Sequence, residues 1–295
     1  MKISKPSFEI WEQQSGINGV YKQIERAGRV CYKSDNKMTD SSAKPFCDRM
    51  IANMHYAMLE HGTVYLRLNR LVGCENESAV FYKSNGHSRV RNIENIFYVT
   101  TNLRVLAENR RMDDLKYFCE PTVNHEKRIT VHFTTQIAIS REFNRHRVNS
   151  IAEQSTRYCN YSKNKFNSEI NICMPEWVQK KASDDFDTLE LSGTDFLSMA
   201  EKVKKEDATP VEIWLFANMA AELSYMNLIK AGCKPQEARV ILPLDTATEL
   251  VHTAFISDWL HFFDLRALDK TGPAHPDAKI IALPLYNEFK KLNLI

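Results

Sequence analysis

The sequence predicts an α+β fold, with a sheet-containing core in the first half and a largely helical second half. Three observations predict it. Runs of strand-forming residues recur as far as residue 139, apolar spacing becomes helical after residue 175, and no internal repeat or low-complexity segment intervenes.

Residues 17–31 alternate apolar and basic positions at helical spacing and predict the first helix. Residues 43–61 predict a stronger one, with Met50, Met54, Ala57 and Met58 on one face and Gly62 as its C-cap. Thr63 to Leu68 is rich in strand formers, residues 70–93 look like a polar excursion, and 96–100 predict a strand with a short helix over 102–110. Residues 128–139 give the clearest strand, alternating Ile129, Val131 and Phe133 against Thr130, His132 and Thr134. Further on, 193–206 predict a helix. Pro210 is placed to start another, running to about Ala231 with Gly232 behind it, and 256–268 and 276–292 predict two more.

At 295 residues the chain is long enough for a sizeable core, and its apolar and charged fractions are those of a soluble globular protein. A net charge of +2 argues against a general nucleic-acid binder, so an anionic ligand needs a local basic cluster. The start, MKISKPSFEI, has no apolar run of signal-peptide length, and no stretch approaches a membrane span of roughly 20 residues. The seven cysteines form no CxxC pair, so a reducing, cytoplasmic location is expected, with no disulfide framework and no metal site. Met50, Met54 and Met58 are expected in the core, as are Trp214, Phe216 and Met219, the latter at the core or a subunit interface. The run 201–207 is expected to be a solvated face.

The densest polar cluster is REFNRHRVNSIAEQSTRY, residues 141–158, expected as a loop leaving the strongest strand. Its four arginines suit planar recognition of phosphate, and Ser155-Thr156-Arg157 sets two hydroxyls beside a guanidinium. A solvated basic loop is the plain alternative; it has to account for the interleaved Glu142 and Glu153 and for the core strand beside it, and the spacing alone leaves both readings open.

Arg145-His146-Arg147, then seven residues, then Ser155, resembles the RHR-x7-S motif of flavin-dependent thymidylate synthases. The wider pattern extends through Ser150, Glu153, Gln154, Arg157 and Tyr158. ARVILPL (238–244) resembles the family's second block, WLHFFDLR (259–266) its third, and His55 to His61 its histidine-to-glutamate helix end. The resemblance implies one domain over 1–295, with a flavin- and nucleotide-binding core and an insertion at about 62–126. It implies reductive methylation of dUMP to dTMP. Methylenetetrahydrofolate would be the carbon donor, NADPH-reduced FAD the hydride source, and the assembly a homotetramer with shared active sites.

By the same resemblance, dUMP is held by Glu142, Arg145, Glu153, Gln154, Ser155, Thr156, Arg157, Arg239 and Arg266. FAD is held by Ala57, Glu60, Arg145, His146, Arg147, Glu153, His261 and His275. Arg266 is the catalytic candidate: C5 of uracil is a weak nucleophile, and an arginine at the N3 edge stabilises the ring anion without titrating. The chain departs from the family's usual residues at Glu142 (commonly Gln), at Ala152 and His261 (commonly Asn) and at Phe255. The alternatives are a related flavin enzyme that hydroxymethylates a pyrimidine nucleotide, and a non-catalytic nucleotide- or RNA-binding protein.

Overall fold

The computed structural model describes residues 1–69, 76–181 and 196–295. In chain order, β1 (Lys2–Ser4) and β2 (Ser7–Trp11) lead into α1 (Gly16–Val30) and α2 (Ala43–Ala52). A 3₁₀ segment, Tyr56–His61, precedes β3 (Thr63–Asn69), α3 (Glu77–Ser84), β4 (Arg89–Ile93), β5 (Ile96–Asn102) and α4 (Leu103–Glu108). Then come β6 (Arg128–Gln136), α5 (Ile137–Phe143), β7 (Ser150–Glu153), β8 (Asn171–Cys173), α6 (Glu176–Lys181), α7 (Phe196–Lys204) and α8 (Pro210–Lys230). The chain closes with α9 (Pro235–Ala238), β9 (Ala247–Phe255), α10 (Ile256–Arg266) and α11 (Pro276–Lys291). The α+β expectation holds.

A four-stranded antiparallel sheet, β2-β6-β9-β7, forms the centre. One side of it carries α10 and α11, whose Trp259, Phe262, Phe263, Ile281, Leu285 and Phe289 close over Val131, Phe133 and Leu250. A second sheet, β3-β5-β4, shares a core with α1 and α2: Val20, Ile24, Phe46 and Cys47 pack with Val64, Leu66, Phe97 and Val99. The segment 62–126 is therefore packed into the body through its own apolar residues. A third cluster gathers around α8, where Trp214 is buried and donates from Nε1 to Asp245 Oδ2 at 2.7 Å. No helix among the described residues is long and apolar enough to cross a membrane.

α8 begins as its sequence predicts. Thr209 Oγ1 accepts from Glu212 N and Glu212 Oε2 accepts from Thr209 N, with Pro210 at the first helical position. Gly232 follows with φ of +98°, the left-handed turn that frees the chain from the helix.

Five expectations need correction. The helix expected over 43–61 breaks at Ala52, where Met54 takes a left-handed φ of 54° and is 73% exposed. It is outside the expected methionine stripe. Gly62 is extended rather than a C-cap; a Cβ there would sit 2.5 Å from Ile24 Cδ1, so close packing against α1 requires glycine. The stretch read as a polar excursion holds α3, capped by Asn76, and the edge strand β4, while 70–75 lie outside the described residues. Neither element has enough buried positions to give a readable period. The strand expected to residue 139 stops at Gln136, because Ile139 and Phe143 bury at helical spacing in α5. Likewise 141–158 is the end of α5, a tight turn, β7 and a second turn rather than one loop. Of the helix expected over 193–206, α7 is described and 193–195 lie outside the described residues.

Candidate active site

β7 positions the first group of residues. It pairs antiparallel with β9, Ser150 facing Thr253 and Glu153 facing Leu250. Arg128 fastens it from below: this buried guanidinium donates to Ser150 Oγ at 2.8 Å and to the Glu60 carbonyl at 2.9 Å. Burial lowers its pKa to about 10. Beyond β7, Gln154 N donates to Glu249 O at 2.8 Å and Ser155 N to Cys31 O at 2.9 Å. The turn is thus held between β9 and the end of α1.

A cavity of about 730 Å³ opens here. Glu153, Gln154, Ser155 and Thr156 form one wall, Ser140 and Arg141 of α5 a second, and Arg239 through Leu244 the third. The Glu153 carboxylate accepts from Ser140 Oγ at 2.7 Å, Asn144 Nδ2 at 3.0 Å and Thr248 Oγ1 at 3.3 Å, which fixes its orientation. Arg239, just past α9, donates to Thr156 Oγ1 at 3.4 Å. The lining combines guanidinium and hydroxyl donors with the apolar side chains of Ile137, Val240, Leu242 and Leu244, which suits a ligand with an anionic part and a flat, less polar part. Arg157, expected with this set, is turned instead to Gln236 Oε1 at 3.3 Å.

A second group centres on Arg266. Its Nη1 donates to Glu142 Oε2 at 2.8 Å, Nη2 to the Glu142 carbonyl at 2.8 Å, and Nε to His146 Nε2 at 3.2 Å. His146 is buried, and burial followed by the charges of Arg266 and His261 lowers its pKa to about 4. At neutral pH it is an uncharged acceptor. The His261 ring lies 5.8 Å from it. Arg145 and Arg147 flank His146 on the turn and are exposed, Arg145 with a side chain 74% accessible and 3.9 Å from Glu142 Oε1.

A third group surrounds Glu60. Arg104 Nη1 lies 2.5 Å from Glu60 Oε1 while its Nε donates to Glu108 Oε2 at 2.8 Å. Ala57 lines a neighbouring, mostly apolar cavity of about 530 Å³ whose wall also includes Arg104. His275 is the N-cap of α11, its Nδ1 accepting from Asp277 N at 3.2 Å. The substituted positions are structural: Ala152 packs with Trp11 and Val251, and Phe255 lies under the guanidinium groups of Arg89 and Arg128.

The sequence reading passed over Ser140, Arg141, Arg104 and Arg128. Arg141 opened the very cluster singled out and could have been named. Nothing in the sequence marks Arg104 or Arg128, whose partners are 44 and 68 residues away.

The family model described as thymidylate synthase complementing protein matches residues 118–293. The chain belongs to that family. The match spans the RHR segment, the 730 Å³ cavity and α10; Ala57 and Glu60 precede it. Two solved structures similar to the chain are of a UMP/dUMP methylase, PolB, from Streptomyces cacaoi. One, with 5-Br dUMP, is 15% identical with a TM-score of 0.42, covering 99% of this chain and 93% of that one. The other, with 5-Br UMP, is 14% identical with a TM-score of 0.42, covering 99% and 92%. No curated protein matches the chain significantly.

Proposed function

We propose that this family member is a flavin-dependent thymidylate synthase, converting dUMP to dTMP with methylenetetrahydrofolate as carbon donor and NADPH as the source of reducing equivalents. One observation carries the reading. Glu153 to Thr156 and Arg239, distant in sequence, wall a single cavity lined in part by guanidinium and hydroxyl donors and in part by apolar side chains. A nucleoside monophosphate has that same division. Arg141, Arg239, Ser155 and Thr156 hold the phosphate, and Glu153 and Gln154 orient the nucleoside.

Arg266 acts at the pyrimidine edge. Its permanent charge stabilises the ring anion that makes C5 nucleophilic. Glu142 and the neutral His146 hold the guanidinium plane in place. The donor set on the RHR turn, two exposed guanidiniums either side of a buried imidazole, fits an anionic dinucleotide, and the carboxylate of Glu60 fits hydroxyl donors. Arg145, His146, Arg147, His261, Ala57, Glu60 and His275 would hold FAD; when bound, it supplies the hydride that completes the methyl group. These residues fall into separate groups along one chain, which favours a homotetramer whose sites draw on neighbouring copies.

Incubating the protein with dUMP, methylenetetrahydrofolate and NADPH, and weighing the product, tests the reading. A mass gain of a methyl group is expected. A hydroxymethyl product, or none, overturns it, and a colourless protein without a flavin spectrum rejects the FAD assignment.

A further inference from the structure

Glu60 is held at both ends by arginines from different segments. Buried Arg128, on β6, donates from Nη1 to its main-chain carbonyl at 2.9 Å, and Arg104, on α4, meets its carboxylate Oε1 at 2.5 Å. The backbone of Glu60 is thereby fixed, and the direction of its carboxylate depends on Arg104. Arg104 is fixed in turn. Its Nε donates to Glu108 Oε2 at 2.8 Å and its Nη2 to Glu108 Oε1 at 3.3 Å, a two-point grip within one helix that leaves Nη1 for Glu60. α4 itself is firmly seated. Leu103 N donates to Gly62 O at 3.0 Å, Asn102 Oδ1 caps the helix at Val105 N, and Leu103, Val105 and Leu106 share a core with Leu59.

Ion pairs that are partly exposed, as this one is, add little to stability. Holding the fold together therefore does not account for an arginine, already paired with Glu108, that also takes Glu60. What the contact does is select an oxygen. With Oε1 taken, Glu60 Oε2 has no hydrogen bond among the described residues, and Glu60 lines a polar cavity of about 290 Å³. Arg104 and Glu108 line this cavity and also the apolar one of about 530 Å³ that Ala57 lines. Arg104 lies outside residues 118–293, the stretch that the family model matches.

We propose that Arg104 is a positioning residue of the cofactor site. It holds one oxygen of Glu60 so that the other accepts from a hydroxyl or amine N–H of FAD, and through it the segment 62–126 takes part in cofactor binding. The proposal rests on the role given to Glu60 above.

The test is serial dilution of the FAD-loaded protein, with released flavin read by fluorescence to give a Kd. It compares the parent with Arg104→Ala, Arg104→Lys, Glu108→Ala, Glu60→Gln and the double variant Arg104→Ala/Glu60→Gln. Arg104 and Glu108 are partly exposed, so the fold should survive, and melting curves in saturating FAD verify it. Arg104→Ala should raise the Kd about tenfold, the scale of one hydrogen bond to a charged group. Arg104→Lys should recover only part of this, because one ammonium cannot hold Glu108 at two points and Glu60 as well. Glu108→Ala separates positioning from charge. Removing that negative charge by itself favours an anionic cofactor, whereas losing the grip on Arg104 weakens binding, and weaker binding is expected. The double variant should bind no worse than Glu60→Gln alone.

Unchanged affinity in Arg104→Ala beside a loss in Glu60→Gln, tighter binding in Glu108→Ala, or losses that multiply in the double variant overturns the proposal and leaves Glu60 its role. Unchanged affinity in Glu60→Gln refutes that role, and the proposal falls with it.

Discussion

Arg266 grips Glu142 at two points, taking a side-chain oxygen with Nη1 and the main-chain carbonyl with Nη2, both at 2.8 Å. Two parallel bonds from one planar fork fix the guanidinium in both position and tilt. His146 accepts from the Nε–H, so three of the five N–H groups of Arg266 are engaged and its plane is set before any substrate arrives, with one N–H on each Nη left for a ligand.

Arg266→Ala should cut dTMP formation at saturating dUMP by about a hundredfold, the scale of one preorganised electrostatic donor. Reduction of the flavin by NADPH should survive, because that half-reaction needs no ionised uracil. Arg266→Lys should rescue poorly, since a flexible point charge cannot copy the fork. Turnover near the parent rate in Arg266→Ala would remove this residue from the chemistry.

Stability should fall with acid. The pKa values of His61 and His252 drop to about 3 and that of His146 to about 4, in each case chiefly through burial, against an ordinary 6.5. Between those values the unfolded chain binds more protons, so stability is complete above about pH 6.5 and is lost as pH falls toward 4 and 3. Each group adds up to about 1.4 kcal/mol per pH unit in that window. Urea titrations at several pH values measure the slope, and His252→Gln should flatten it. An unchanged slope in that variant would assign the acid sensitivity elsewhere.

Ser155→Ala should raise the KM for dUMP and leave kcat largely intact, by roughly 1–3 kcal/mol for a lost partner of a buried charged group. If binding is unchanged while turnover at saturation vanishes, Ser155 is a reacting group and not a phosphate ligand.

Gly62→Ala should lower the melting temperature. The new methyl meets Ile24 Cδ1 at 2.5 Å and Val20 Cγ1 at 2.7 Å, and overpacking of this kind costs about 1–3 kcal/mol. A variant as stable as the parent would show that α1 can move aside.

The assembly should be a homotetramer at micromolar concentration by light scattering. A fully active monomer would mean that one chain gathers its own site.

The sequence made some elements plain and hid others for physical reasons. Pro210 and Gly232 each impose a local geometry, so both ends of α8 could be read, while the capping box of Thr209 and Glu212 is seen in the structure. The break at Met54 is marked only by Asn53 at the C-cap, and the left-handed turn itself falls on a methionine, which no rule of residue preference singles out. In the site, the contiguous run from Glu153 to Thr156 was visible because its residues are neighbours on the chain. Arg104 was not, since it acts on Glu60 across 44 residues and sits in a short helix with an ordinary surface pattern. Pairings made by folding leave no periodic trace.

The way segment 62–126 is seated has an evolutionary consequence. Val64, Leu66, Phe97 and Val99 complete a core that α1 and α2 begin, and Arg104 from the same stretch is the counter-ion of Glu60. An accessory module can be gained or shed by its lineage with little cost to the rest. For this one the cost is high: excision alone would leave Val20, Ile24 and Phe46 short of their packing partners and Glu60 without Arg104. The two parts are bound to a shared history, in which a change on the α1 face must be answered on β3 or β5.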